Sequence, residues 1–345
     1  MATIRDVARL ANVSVATVSN ALNSADRVSE ELRARVHAAV EKLGYAPHAA
    51  ARSLRKRSSG LLGLVVGDIT NPFFSDLFAA VEDAAAATGH LVLLCNSSET
   101  VAREEAHLRM LRSQRIDGLI LAPTGAVSMN RAALLAQLEV PVVLVDRAMD
   151  GLGYDAVVLD NHRAAFEATR HLIAAGHRRI ALINGPEVVR TAADRLRGYR
   201  EALLTAGITF DPGLVRDAGF QEAPACRAAV DLLRSDDPPT AIFATNNLMT
   251  VGTIRALADL GLRCPEDISI VGIDDLPWAD SVSPRLTAVA QPVREIGETA
   301  LALLLDRIGG LRVGPGEVTV MPPKLIIRRS CGTPSSPAFE TVDVA

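Results

Sequence analysis

The sequence LANVSVATVSNALN, residues 10–23, decides how the start of this chain folds. Val, Thr, Ser and Asn dominate it, and because they are mediocre helix formers, propensity alone would not select them for a helix. Ser14 can nevertheless cap a helix over about residues 15–22, since its hydroxyl can accept a hydrogen bond from a backbone N–H one turn in. Such a helix presents hydroxyls, amides and small apolar groups, which indicates a face made to contact something other than water.

Another short helix is expected directly before this one. Thr3 followed by Asp6 has the spacing of a capping box, which begins a helix over about residues 4–11. Asn12 then falls where the chain must turn, and asparagine tolerates the left-handed conformation second only to glycine. Helix, tight turn and helix form a helix-turn-helix pattern, whose second helix enters the major groove of DNA. A three-helix structural module with solvated hydroxyls is the alternative that the pattern alone leaves open.

A third helix is expected between Ser29, which can cap it, and Gly44, which ends it. Its apolar residues recur at helical spacing: Leu32, Val36, Ala39, Val40 and Leu43. The next run, APHAAARSLRKRSSG, indicates a linker with helical leanings. Residues 1–60 hold ten Lys or Arg against five Asp or Glu, whereas the rest of the chain holds 26 against 35. A basic head on an acidic body favours a head that contacts polyanions.

From residue 61 onward, apolar runs alternate with helical segments. The runs read as buried strands and form two sets, LLGLVV, HLVLLC, DGLILA and VPVVLV, then AVVLD (from about 156), RRIALI, TAIFAT and DISIVGI. The helices between them are expected near 74–88, 100–114, 130–138, 161–175, 190–206, 221–234 and 247–260. Apolar strands separated by helices predict parallel sheets covered on both faces. Because ATGHLVLLC resembles AAGHRRIAL, we expect two similar α/β lobes with a cleft between them.

Several classes of protein are disfavoured by what the sequence lacks. No apolar run approaches the ~18 residues of a membrane span, and the first residues have no apolar signal-peptide core, so a cytoplasmic protein is expected. The four cysteines are far apart without metal-site spacing, which favours reduced, buried thiols. The phosphate-loop, dinucleotide and nucleophile-elbow motifs are absent, so we expect no enzyme, no cofactor and no metal.

The sequence resembles the LacI/GalR family of bacterial transcription regulators. The resemblance begins with TIRDVARLANVSVATVSNALN and RVSEELRARVHAAVEKLGYAPHAAARSLR, and continues through LLGLVVGDITNPFFSDL, GHRRIALINGP, PTAIFATNNLMTVG and PEDISIVGIDD, in the same order up to about residue 330. It implies an all-α helix-turn-helix head and an α/β body like a periplasmic binding protein, with two parallel-sheet lobes. The expected bounds are a head at 1–46, a hinge at 47–60, a body at 61–330 (first lobe about 61–160 plus 291–320, second lobe about 161–290 plus 321–330) and a disordered tail at 331–345.

The resemblance also implies which residues of the head and hinge contact DNA. Val15, Ala16 and Asn20 match the main base-reading positions, and Leu54 from each of two subunits would wedge into the minor groove at the centre of a palindrome. The full expected set is Thr3, Ser14, Val15, Ala16, Thr17, Ser19, Asn20, Arg27, Leu54 and Arg55. A palindromic double-stranded operator implies a homodimer, and because the tail lacks a leucine heptad, a tetramer is not expected.

Small ligands of this fold class lie between the lobes, at the carboxyl ends of parallel strands. Polar and aromatic residues follow several predicted strands, and matching positions in the family contact ligand. The expected effector-binding set is Asn71, Phe73, Phe74, Asp146, Arg147, Thr191, Arg195, Phe220, Asn246, Asp274 and Gln291. Flat rings beside carboxylate, amide and guanidinium groups favour a sugar or sugar derivative. Asn247 stands where relatives often have Asp, and Trp278 is either a stacking face at the cleft or a packing residue.

These expectations combine into one function with several alternatives. The chain is expected to be a transcriptional regulator, and more specifically a repressor, whose operator affinity is controlled by a small molecule bound between the lobes. A co-repressor system with a non-sugar ligand, control by a partner protein, and a pure sugar-binding receptor are the alternatives. The sequence leaves the identity of the effector, the operator and the regulated genes open.

Overall fold

The computed structural model describes residues 2–23, 28–45, 59–125, 129–275 and 278–334. The chain divides into two compact units, a head at residues 1–60 and a body at residues 61–345. The hinge prediction at 47–60 lies almost wholly outside the described residues, as do Arg27, Leu54 and Arg55 among the expected DNA contacts.

The head contains three helices, α1 (Ile4–Ala11), α2 (Val15–Asn23) and α3 (Glu30–Leu43). The predicted capping box is confirmed, since Thr3 N donates to Asp6 Oδ2 at 2.9 Å and Asp6 N donates to Thr3 Oγ1 at 3.4 Å. Asn12 ends α1 with a φ of 51°, the left-handed conformation expected of it. The guanidinium of Arg35, on α3, donates to the carbonyl oxygen of Ala11 at 2.7 Å. This contact, which the sequence pattern did not predict, holds the turn between α1 and α2.

The caps of the second and third helices differ. Ser14 caps α2 as predicted, because its Oγ accepts a hydrogen bond from Thr17 N at 3.0 Å. Ser29 stands at the N-cap of α3, but its side chain makes no capping hydrogen bond, so the prediction that it caps the helix is wrong. Glu30 and Glu31 in the first turn interact favourably with the helix dipole instead.

The first lobe of the body is built on a six-stranded sheet in the order β11-β5-β4-β3-β1-β2, with every pair parallel. Its strands are β1 (Leu61–Val66), β2 (Leu91–Asn96), β3 (Gly118–Leu121), β4 (Val142–Val145), β5 (Asp155–Leu159) and β11 (Val318–Met321). Its helices are α4 (Pro72–Ala87), α5 (Val101–Gln114), α6 (Met129–Ala136) and α11 (Val293–Ile308). Helices α4 and α11 cover one face, and α5 and α6 cover the other.

The second lobe has the same construction, with the strand order β12-β10-β9-β8-β6-β7. Its strands are β6 (Ile180–Asn184), β7 (Val215–Asp217), β8 (Ala241–Ala244), β9 (Ser269–Ile273), β10 (Thr287–Ala290) and β12 (Lys324–Ile326). Its helices are α7 (Asn161–Ala174), α8 (Arg190–Thr205), α9 (Glu222–Leu233) and α10 (Asn247–Asp259), with a 3-10 turn at Pro212–Leu214. Helices α7 and α8 cover one face of this sheet, and α9 and α10 cover the other.

Two expectations about the sheets need correction. The run AVVLD, assigned to the second set, forms β5 and pairs with β4 and β11 in the first lobe. The second sheet is not wholly parallel, because β12 runs antiparallel to β10 at its edge. The chain therefore crosses between the lobes after β5, after β10 and between β11 and β12. No helix in the described part of the chain is both long and apolar enough to cross a bilayer.

The residues after the last strand are held against the second sheet. His177, buried between α7 and β6, shares hydrogen bonds through Nε2 with Ser269 Oγ at 2.9 Å and with the carbonyl oxygen of Gly332 at 3.0 Å. Its Nδ1 lies 2.9 Å from Thr240 Oγ1. The prediction of a disordered tail from 331 is therefore wrong for Cys331 and Gly332, and residues 335–345 lie outside the described ranges.

This buried histidine makes the stability of the body depend on pH. Burial lowers the pKa of His177 below its ordinary value near 6.5. Protonation thus favours the unfolded chain, and stability that is present above pH 6.5 is lost as the pH falls through the lowered pKa. We expect the urea midpoint to fall between pH 7.5 and pH 5, and to fall less in His177→Gln than in wild type. His90→Gln, at a partly exposed position, is the control, and an identical fall in wild type and His177→Gln would contradict the prediction.

Candidate DNA-reading face and effector cleft

The outer face of α2 carries the side chains expected to contact DNA. Val15 is 42% exposed although it is apolar, and Ala16 beside it is exposed as well. One turn further along the helix, Val18 is fully buried in the head core. Ser14 and Thr17 share a hydrogen bond between their hydroxyl oxygens at 2.8 Å. The helix thus places small apolar groups and hydroxyls on its surface, where they suit thymine methyls and phosphates.

The remaining described residues of the expected DNA-contacting set lie on α2 and at the start of α1. Ser19 and Asn20 are half-buried on α2, and Thr3 is exposed at the start of α1. The described part of the set therefore consists of small polar and apolar side chains of α2 with one threonine at the N-cap of α1.

All eleven expected effector-binding residues line one cavity between the two lobes of the body, together with Asp68, Glu99 and Leu248. The first lobe contributes residues from the start of α4 and the end of β4. The second lobe contributes residues from α8, from the ends of β7 and β9, and from the start of α10, while Gln291 lies on the crossing after β10. This position, at the carboxyl ends of parallel strands, is where α/β folds bind ligands.

Four of the cavity residues have the left-handed backbone conformation that side chains rarely adopt. They are Glu99 (φ 51°), Asp146 (φ 63°), Phe220 (φ 60°) and Asp274 (φ 78°). Each such residue costs on the order of 1–3 kcal/mol and persists only where its surroundings hold it. Their concentration in one cavity is typical of a functional site.

Arg147 is the centre of the polar contacts contributed by the first lobe. Its Nη1 and Nη2 donate to the two carboxylate oxygens of Glu99 at 2.9 and 2.8 Å, and Nη1 also donates to the carbonyl oxygen of Pro123 at 2.9 Å. Its guanidinium carbon lies 5.3 Å from the ring centre of Phe220, which belongs to the second lobe. Burial lowers the pKa of Arg147, but Glu99 and Asp146 more than offset this, so the pKa is raised.

Arg195 is the corresponding guanidinium of the second lobe. Its Nε donates to Asn161 Oδ1 at 2.8 Å, and its Nη1 donates to the carbonyl oxygen of Thr245. Burial lowers the pKa of Arg195, and the nearby charges of Asp274 and Asp146 offset part of this decrease. Burial raises the pKa of both aspartates; Arg147 and Arg195 oppose that rise at Asp146, and Arg195 opposes it at Asp274. The cavity therefore holds acidic and basic side chains whose opposite charges stabilise one another.

A direct hydrogen bond joins the two lobes at this cavity. Asn247 Nδ2 donates to Asn71 Oδ1 at 2.7 Å, and the same oxygen accepts from Phe73 N at 2.9 Å. A deprotonated aspartate at position 247 could not donate this bond, so the contact between the lobes depends on the asparagine noted there in the sequence. Asn247 was not among the expected site residues, and its departure from the family pattern was the signal that could have identified it.

The cavity is closed in this arrangement of the lobes. Its volume is about 30 Å³, whereas ligand pockets ordinarily enclose roughly 300–1,000 Å³. Phe220 contributes to this closure because its ring packs directly on Gly185, where an added Cβ would lie 2.1 Å from the ring. A ligand the size of a sugar can enter only if the lobes separate or these side chains move.

Trp278 does not lie at this cavity. It packs with Ile254, Val282 and Leu286 along a separate apolar groove of about 640 Å³ in the second lobe. Of the two interpretations of this residue, the structure supports packing within the lobe.

Comparison with known proteins identifies the chain. A family model described as bacterial regulatory proteins, lacI family, matches residues 3–48, and one described as a periplasmic binding protein-like domain matches residues 169–331. The HTH-type transcriptional repressor PurR of Aliivibrio salmonicida is 35% identical over 330 residues, which cover 96% of this chain and 99% of that protein. A helix-turn-helix head and a two-lobed body together define a DNA-binding regulator. The chain belongs to the LacI family of bacterial transcription regulators, whose matched members are repressors and not enzymes.

Two solved structures are similar over nearly the whole chain. A lac repressor dimer bound to operator and the anti-inducer ONPF has a TM-score of 0.84 at 29% identity, covering 96% of this chain and 99% of that one. A complex of the transcriptional regulator CelR with cellobiose has a TM-score of 0.72 at 33% identity, covering 96% and 100%. The helical head and two-lobed α/β body are therefore the fold of the LacI repressors.

Proposed function

We propose that this repressor binds a palindromic operator as a homodimer and that a small molecule in the cavity between the lobes controls its operator affinity. A sugar or sugar derivative, nucleosides included, is the ligand class that the cavity favours. The observation that carries this proposal is the cavity itself, in which phenylalanine rings, carboxylates, amides and guanidinium groups from both lobes converge. Rings of this kind cover the C–H faces of a sugar, and the polar groups bond its hydroxyls.

Control of DNA binding follows from linkage between the ligand and the arrangement of the lobes. A ligand that is held by groups from both lobes stabilises one arrangement over the other. In a dimer, that arrangement sets the spacing of the two hinge segments, and with it the ability of both heads to occupy adjacent half-sites. Effector and operator binding are then coupled by a free energy of ~1–3 kcal/mol, and each ligand changes the affinity for the other by the same factor.

The test is fluorescence anisotropy of a labelled palindrome, titrated with the full chain at fixed salt because phosphate contacts dominate affinity. Pentoses, hexoses, disaccharides, nucleosides and purines are added in turn. Release of the operator by one uncharged sugar or nucleoside supports the proposal. Tightening by a purine or another non-sugar ligand would instead identify a co-repressor system. A response to none of these ligands would overturn control by such a small molecule and favour control by a partner protein.

If α2 reads bases, a substitution in the head should change operator affinity. We expect Asn20→Ala to weaken operator binding about tenfold, since an asparagine that bonds adenine contributes roughly 1–3 kcal/mol of discrimination between bases. Binding to a scrambled duplex should stay unchanged, because phosphate contacts supply non-specific affinity. Both affinities come from the same anisotropy assay. Equal weakening on the operator and the scrambled duplex would show that Asn20 reads no base.

A further inference from the structure

Glu99 lines the cavity without having been expected there, and its backbone is fixed in place. It follows β2 by three residues, and its N–H donates to the carbonyl oxygen of Gly67 at 2.8 Å. The carboxylate lies directly over Gly67, where an added Cβ would be 2.3 Å from Oε1. Gly67 therefore provides the space that the Glu99 carboxylate occupies.

From this position the Glu99 carboxylate forms an ion pair with the guanidinium of Arg147. Both carboxylate oxygens accept hydrogen bonds from it, at 2.8 and 2.9 Å, in the paired geometry that an anionic ligand would also adopt. The other polar contacts of Arg147 are the Pro123 carbonyl oxygen at 2.9 Å and Asp146 Oδ2, which lies 3.1 Å from Nε. A phosphate or carboxylate could take the same paired position on this guanidinium only by displacing Glu99.

The second guanidinium of the cavity offers an anion no better partner. Arg195 is committed to Asn161 and Thr245 through Nε and Nη1. The charges of Asp274 and Asp146 act on it directly, so an anion bound to Arg195 would be repelled by both carboxylates. Asp68, at the edge of the same cavity, adds a further acid.

We propose that Glu99 is a specificity-determining residue of the cavity, which by occupying Arg147 restricts the effector to an uncharged polyhydroxy ligand and excludes phosphate esters and carboxylates. This inference rests on the proposed function, because it assigns the charge of the ligand that the same cavity takes. Hydroxyl groups accept and donate without displacing an ion pair, whereas an anion competes with Glu99 for the Arg147 guanidinium. Gly67 acts with Glu99, since any side chain there would push the carboxylate away.

The test is isothermal titration of the full-length protein with matched pairs of ligands at fixed salt. The pairs are ribose with ribose 5-phosphate, glucose with glucose 6-phosphate, and adenosine with adenosine 5′-monophosphate. Wild type should bind the uncharged member of one pair and not its phosphate ester. In Glu99→Gln the ester of that pair should gain about 10- to 100-fold in affinity, as expected for a charge-assisted hydrogen bond regained by Arg147. Gly67→Ala should give the same gain by displacing the Glu99 side chain.

A matched control and two contradicting results complete the experiment. Glu167→Gln changes a glutamate that is also 19% exposed and bonded to an arginine, Arg163, outside the cavity, and should leave every affinity unchanged. The inference is overturned if wild type binds a phosphate ester as tightly as its uncharged partner, or if neither Glu99→Gln nor Gly67→Ala improves ester binding. If no uncharged sugar or nucleoside binds wild type or alters its operator binding, the proposed ligand class itself fails.

Discussion

We expect Asp274→Ala to abolish the response to effector while operator binding without effector stays intact. The carboxylate lines the cavity, where Oδ1 accepts a hydrogen bond from Gln291 Nε2 at 2.6 Å and Oδ2 accepts from Asn247 N at 3.3 Å. Hydrogen bonds to a charged group contribute about 1.5–3 kcal/mol each, so losing two to a sugar should weaken effector binding at least ~100-fold. Anisotropy on the operator, with and without the releasing ligand, measures both effects.

Two further variants separate this role from a general effect on folding. Asp274→Asn keeps the shape of the side chain and its oxygen acceptor for Gln291, and asparagine also tolerates the left-handed backbone at this position. Because it removes the negative charge, it should still weaken effector binding. Asp267→Ala removes a carboxylate that precedes the same strand, β9, and pairs with Arg263 at the surface, so it should leave the response unchanged. An undiminished response in Asp274→Ala would place the effector outside this cavity.

We expect Glu104→Ala to destabilise the body by about 3–5 kcal/mol, the cost of leaving a buried charge without its partner. Glu104 on α5 and Arg131 on α6 are both completely buried, with Glu104 Oε1 2.6 Å from Arg131 Nε. Glu104 Oε2 also accepts a hydrogen bond from Thr124 N at 2.6 Å. The variant therefore removes the ion pair together with the support of the loop after β3. Urea unfolding followed by circular dichroism gives the change in the free energy of unfolding.

The neighbouring residue supplies the control for this effect. Glu105→Ala removes a glutamate of the same helix. Its Oε2 lies 3.8 Å from Nη1 of Arg109, whose side chain is largely exposed, so the loss should cost less than ~1 kcal/mol. Replacing Glu104 with leucine and Arg131 with methionine together should recover much of the loss, because no buried charge is then unpaired. A free energy of unfolding for Glu104→Ala within 1 kcal/mol of wild type would show that Arg131 does not depend on this carboxylate.

Elements with a clear apolar pattern could be predicted from the sequence. Helix α8 was expected at 190–206 and spans Arg190–Thr205, because its apolar residues recur at helical spacing. Strand β1 was expected at LLGLVV and spans those same residues, since nearly all of them are buried. The edge strands β7 and β11 were not predicted. Their residues are partly or largely exposed, so they show no continuous apolar run.

Which strands pair with one another was harder to predict from the sequence than which segments form strands. A local pattern states that β5 is a strand but not which sheet it joins, since that depends on contacts with β4 and with β11, more than 150 residues later. The cavity residues show the same division. Polar residues at strand ends and the family resemblance predicted eleven residues that lie together, whereas the roles of Glu99 and Asn247 follow from their contacts with Arg147 and Asn71.

The sequence by itself determined the helix-turn-helix head, the two α/β lobes and the membership of the LacI family, because periodicity, caps and motifs are local and collinear. The tertiary structure alone decided that the cavity is closed, that Arg147 is already paired, and that an asparagine bond joins the lobes. The physical reason is that these features depend on distances between side chains far apart in sequence. A guanidinium 2.8 Å from a carboxylate that is 48 residues away behaves differently from a free one, and only folding brings the two together.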